Sequence, residues 1–163
     1  MMLTTLIAIL TVTVPRDAAR SDGLLQSPDS VRAACATAQR LARSTLMLET
    51  RIEHGVTVVN DFAPAGRRDR MGCRVSGHTD EDRVAAPVDM LLDALQAEGG
   101  QPLWAYGADG PDGSSIGVTV GPVLCLIRGS WDGGDDSDTT YVPAPGYALE
   151  IACFRRTADD ERR

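Results

Sequence analysis

Two sets of side chains in this 163-residue chain are of types that do chemistry: four cysteines and a group of carboxylates. The cysteines are Cys35, Cys73, Cys125 and Cys153. They show no CxxC or CxH spacing, so neither a zinc site nor a thioredoxin-like pair is indicated. An even count at wide spacing fits two disulfides, and with them an oxidising compartment. The carboxylates are Asp109, Asp112, Asp132, Asp135, Asp136 and Asp138, interspersed with Gly and Ser. Calcium takes about six to eight hard oxygens, which flexible loops of this composition can supply. Calcium is therefore the one cofactor the cluster would take, and otherwise none is expected. The run from Asp132 to Asp138 lacks the alternating spacing and distal Glu of an EF-hand. Asp and Gly are also ordinary turn formers on a solvated rim.

Aromatic residues stand beside these carboxylates. Trp131 and Tyr147 flank the longer acidic segment, and Trp104 lies on a neighbouring strand. Amphipathic rings at such a rim suit a small molecule or a protein partner. The two histidines, His54 and His78, have no metal-ligand spacing, but a hairpin between them would bring them out near one end. No GxSxG, HExxH or GxGxxG motif occurs. No lysine occurs either, which excludes a Schiff-base lysine and a Walker-type phosphate loop.

Charge narrows the partners. The net charge is −7 and the pI about 4.7. Residues 98–150 carry eight acidic residues and one basic, Arg128, while the rest of the chain balances at fifteen each. With no basic stripe to neutralise phosphates, a nucleic-acid partner is not expected. The oligomeric state is not encoded in any pattern we recognise.

The acidic segment and two of the cysteines are positioned by one hairpin. GPVLCLIRGSW and YALEIACF read as long strands at residues 121–131 and 147–154. Placing Trp131 opposite Tyr147 sets Gly129 against Leu149, Ile127 against Ile151 and Cys125 against Cys153. On the other face it sets Arg128 against Glu150, Leu126 against Ala152 and Leu124 against Phe154. A slip of one residue would lose an ion pair, an aromatic pair and the cysteine pair together, so the register is well specified. Directly opposed residues are within disulfide reach. Cys125–Cys153 then leaves Cys35–Cys73.

The remaining elements follow from period and punctuation. Residues 1–14 form an apolar run like the core of a secretory signal, too short to span a bilayer comfortably. No Arg or Lys precedes it, and Asp17-Ala18-Ala19 is a poor cleavage site. Residues 1–19 are read as a signal peptide or apolar N-terminal segment, 20–27 as a linker, 28–156 as one domain, and 157–163 as a polar tail that frays. Pro28 opens a helix to about residue 46, with Cys35 on its apolar stripe. Strands are expected at 56–63 and 71–77, with 46–54 ambiguous between helix end and edge strand. Pro87 opens an amphipathic helix stopped by Gly99-Gly100. Further strands follow at 102–106 and 115–120.

The element order α-β-β-α-β-β-β-β gives an α+β domain, an antiparallel sheet of about six strands with two helices over one face. In such a meander the turn at 109–113 and the loop at 132–146 fall at the same end of the sheet. The sequence therefore reads as an exported, disulfide-stabilised binding or structural module with an extracytoplasmic location, no stable membrane span and no assigned catalytic residue. The alternatives are a pocket enzyme on a cone-like α+β fold and a calcium-stabilised structural protein.

Overall fold

The computed structural model of the chain describes residues 28–61, 68–81, 86–133 and 144–161. The signal-like segment, the linker, the tip of the first hairpin and most of the acidic loop lie outside them. Helix α1 spans Pro28–Leu46 and α2 spans Pro87–Ala97. The strands are β1 Thr50–Asn60, β2 Arg68–Thr79, β3 Gln101–Gly110, β4 Gly113–Val120, β5 Val123–Ser130 and β6 Tyr147–Arg155. All neighbours are antiparallel, in the order β1-β2-β6-β5-β4-β3. Both helices lie on one face of this open sheet. The element order is the one the sequence predicts. No helix among the described residues is long and apolar enough to cross a membrane.

Helical spacing explains the helix-side core. Ala34, Cys35, Ala38, Leu41, Ala42 and Leu46 recur every three to four residues along α1 and are buried. Val88, Leu91, Leu92 and Leu95 do the same on α2. Both stripes meet the odd-numbered residues of the central strands, among them Val75, Cys125, Ile127, Leu149 and Ile151. Period-two alternation sends the even-numbered residues of β2, β5 and β6 to the other face.

The hairpin register is as predicted for six of the seven named pairs. Cys125 faces Cys153, Ile127 faces Ile151, Arg128 faces Glu150 and Leu124 faces Phe154. The Arg128–Glu150 ion pair is formed at 3.9 Å. The seventh needs correction. The ladder ends at Ser130–Ala148, and Trp131 does not oppose Tyr147. Its backbone N–H instead donates to the Asp112 carbonyl at 3.0 Å, drawing the chain towards the β3–β4 turn.

β1 also differs from expectation. It begins at Thr50 and contains a bulge between His54 and Val56, centred on Gly55 at φ 65°. The extra residue inverts the alternation. Thr50 and Ile52 face the helices, whereas Val56, Val58 and Asn60 face the other side. A single-phase reading finds only the second half of such a strand. Opposite the bulge is Gly72, where a Cβ would meet the Cys153 carbonyl oxygen at 2.2 Å. Two glycines thus let the hairpin bend back across the sheet's outer face.

The bend builds a second core. Val58, Tyr106, Leu124, Leu126, Ala152 and Phe154 are buried together on the outer face. Asp61, at the end of β1, reaches across two intervening strands to pair with Arg128 at 3.0 Å. The polar tail expected from residue 157 is ordered to Glu161, with a short 3-10 helix at Ala158–Glu161. Its Asp160 is the reason. The side chain is fully buried and accepts hydrogen bonds from Thr157 N and Thr157 Oγ1, both at 2.8 Å, from Asn60 Nδ2 at 3.3 Å and from Tyr106 Oη at 3.4 Å. One carboxylate therefore ties the C-terminal segment to β1 and β3.

Candidate functional site

The two disulfides are Cys35–Cys73 and Cys125–Cys153. The first joins α1 to β2, and the second joins β5 to β6. Cys73 also lies directly opposite Cys153 across the β2–β6 ladder. Three cysteines thus form one row across β2, β6 and β5, with Cys35 above it on α1. All four are buried.

The β3–β4 turn and the base of the acidic loop meet at one end of the sheet, as chain order implies. The β3–β4 turn at Pro111-Asp112 touches the segment leaving β5. Trp131 Nε1 donates to the Pro111 carbonyl at 2.6 Å, and Gly133 N donates to Asp112 Oδ1 at 3.2 Å. Ala144 N donates to Asp132 Oδ2 at 2.8 Å, closing the base of the loop. Asp112 and Asp132 each commit an oxygen to holding backbone, which is the work of turn residues. Asp109 is exposed at the end of β3. Asp135, Asp136 and Asp138 lie outside the described residues. Among the described residues, the His, Cys, Asp and Glu side chains that converge in groups of three or more are Cys35, Cys73 and Cys153, and their sulfurs are in disulfides.

The three aromatic candidates occupy different environments. Trp131 is half-buried and anchors the turn through its indole N–H. Tyr147 is buried in the helix-side core, and its hydroxyl has no hydrogen-bond partner among the described residues. Desolvation raises the pKa of that phenol above its ordinary 10.0. Trp104 is 71% exposed, on the irregular part of the β3 edge. Of these three, Trp104 alone offers a ring face to solvent on this scale.

The histidines are not brought together. His54 opposes Cys73, whereas His78 lies five residues further along β2. At about 3.3 Å per residue that is roughly 16 Å along the strand, and an odd offset puts the two on opposite faces.

A cleft of about 950 Å³ lies at the corner where α1 passes into β1. Arg43, Met47, Glu49, Arg51, His78 and Asp80 are among its lining residues. None of the sequence-derived ligand or metal candidates is among them. Arg43 is held in place by its bonds to Thr50 Oγ1 and Thr50 O, both at 3.1 Å. Arg51 pairs with Glu53 at 3.0 Å. Met47, the residue after α1, has φ 50° and is 87% exposed. Left-handed backbone just past a helix is ordinarily a glycine position. An exposed methionine there combines an unfavourable backbone with an unfavourable surface. The sequence signal was the ambiguity of residues 46–54, where an apolar residue follows the helix stripe without a glycine stop. The lining mixes guanidinium, carboxylate, imidazole and hydroxyl groups, an inventory that hydrogen-bonds a polar ligand through both donors and acceptors. Comparison with protein-family models, with curated proteins and with solved structures finds no match to this chain.

Proposed function

We propose that the chain is an exported, disulfide-stabilised binding module whose ligand is a small polar molecule seated in the α1–β1 corner cleft. The observation that carries this reading is the cleft itself, about 950 Å³ of concave polar surface with Met47 strained and exposed at its edge. That volume is at the upper end of the range of ligand sites, roughly 300–1,000 Å³. Strained backbone at an exposed apolar residue is a recurring mark of a ligand contact. Two buried disulfides support an oxidising, extracytoplasmic location. The apolar run at residues 1–14 supports the same location independently.

Two measurements test the reading. Thermal-shift screening against amino acids, sugars and short polar peptides should yield compounds that raise Tm, as any ligand of the native state must. The shift should shrink in Arg51→Ala and His78→Ala, and persist in Trp104→Ala. Hits indifferent to the cleft substitutions, or a panel with no hit, would count against it. Fractionation of cells expressing the full chain should find it outside the cytoplasm. Retention in the cytoplasm with reduced cysteines would contradict export.

A further inference from the structure

The four sulfurs are closer to one another than two separate bridges require. The sulfur atoms of Cys35, Cys73 and Cys153 all lie within 4.8 Å of one another, and the fourth sulfur is bonded to Cys153. The strand order explains this. β6 lies between β2 and β5, so Cys153 has a directly opposed cysteine on either side, Cys73 in β2 and Cys125 in β5. Only one of these two neighbours can be bonded to it at a time.

We propose that the four cysteines form one exchange-coupled set, in which Cys73–Cys153 is an alternative disulfide that forms when a dithiol reductant opens either native bridge. The electron balance is simple. A dithiol gives up two electrons and becomes a disulfide, while one protein bridge becomes two thiols. The second step is isoelectronic. If Cys35–Cys73 is opened, the Cys73 thiolate attacks Cys153, the Cys73–Cys153 bond forms, and Cys125 leaves as a thiolate that takes up a proton. If Cys125–Cys153 is opened, the Cys153 thiolate attacks Cys73, and Cys35 is the leaving group. Exchange proceeds by thiolate attack on a disulfide sulfur, and access to that sulfur governs it. A row across three adjacent strands favours the first route, because Cys73 approaches Cys153 from the side away from Cys125.

The two routes start from different bridges and end in the same one. Each leaves α1 without its covalent tie to the sheet, since Cys35 finishes unbonded in both. α1 also supplies Arg43 to the corner cleft, and Met47, the residue after it, lines the same cleft. Partial reduction therefore converts a two-bridge domain into one with a cross-strand bridge and an untethered cleft wall. This consequence for ligand binding rests on the proposed function, whereas the exchange itself does not.

The test uses Cys35→Ser and Cys125→Ser in the full chain, with free thiols alkylated under acid quench before non-reducing peptide mapping. In Cys35→Ser, Cys73–Cys153 should appear beside Cys125–Cys153, and in Cys125→Ser it should appear beside Cys35–Cys73. Near-equivalent partners predict populations within about an order of magnitude of each other. Each variant retaining only its native bridge, with the third cysteine fully alkylated, would overturn the proposal. If a variant does not fold, the wild-type chain treated with less than one equivalent of dithiothreitol provides the readout. There the Cys73–Cys153 peptide must appear, and its absence among singly reduced molecules refutes the exchange.

Discussion

Asp160→Ala should destabilise the domain severely, although the residue lies in the charged C-terminal segment that sequence reading sets aside as a tail. The carboxylate is fully buried and receives four hydrogen bonds, two of them at 2.8 Å. Truncation removes all four together with the Arg70–Asp160 ion pair at 4.0 Å. Bonds to a charged acceptor are worth about 1.5–3 kcal/mol each. These terms overlap, and loss of one member of a buried charged network typically totals about 3–5 kcal/mol. Against a domain stability of about 5–15 kcal/mol, that is a large fraction. The assay is guanidinium unfolding of the oxidised protein followed by far-UV circular dichroism. Hydrogen exchange then localises the effect: protection should fall in residues 56–60 and 68–71, while β5 and β6 keep theirs. Asp160→Asn should cost less, about 2 kcal/mol, since one acceptor survives while an amide N–H turns against the Thr157 donors. A change below about 0.5 kcal/mol for Asp160→Ala, or a loss of protection spread evenly over the sheet, would refute the latch.

Two further substitutions probe other parts of the fold. Tyr147→Phe removes a buried hydroxyl that lacks a partner among the described residues, so it should leave the domain as stable or raise its stability by about 1 kcal/mol, checked by chemical denaturation. Because burial raises this phenol's folded-state pKa above 10.0, its contribution is fully present below pH 10 and is lost as pH climbs through the folded value. The wild type should therefore lose stability above pH 10 more steeply than Tyr147→Phe, and parallel profiles would contradict the assignment. Gly72→Ala places a methyl 2.2 Å from the Cys153 carbonyl oxygen, where only backbone movement can relieve the contact. It should destabilise by about 1–3 kcal/mol or more and lower Tm accordingly.

How far the fold could be read from sequence depended on whether one period held along each element. β5 and β6 keep a constant alternation, and their residue types repeat across the pair, so the register and the Cys125–Cys153 bridge were legible. α1 and α2 carry uninterrupted apolar stripes and were equally clear. β1 was half hidden, because Gly55 inserts a residue and moves the apolar positions to the other face. The latch was hidden for a different reason. Asp160 sits in the run TADDERR, which has no period and looks solvated; only the bend of the first hairpin creates a polar niche for it. The acidic rim illustrates the limit on reading sites. Chain order brings the two turns together, but composition does not distinguish a carboxylate that holds a backbone N–H from one awaiting a cation. Asp112 and Asp132 belong to the first kind. The corner cleft escaped because its lining comes from the ends of three elements, α1, β1 and β2, none with a motif.

Two disulfides fix the helix and the central strands to one another covalently, joining α1 to β2 and β5 to β6. The direct measurement is a non-reducing peptide map of the full chain as isolated from its expressing cell. It should give Cys35–Cys73 and Cys125–Cys153 as the bridges, with no alkylatable thiol before reduction. Free thiols at Cys125 and Cys153 would contradict the staple and the oxidising location that supports export.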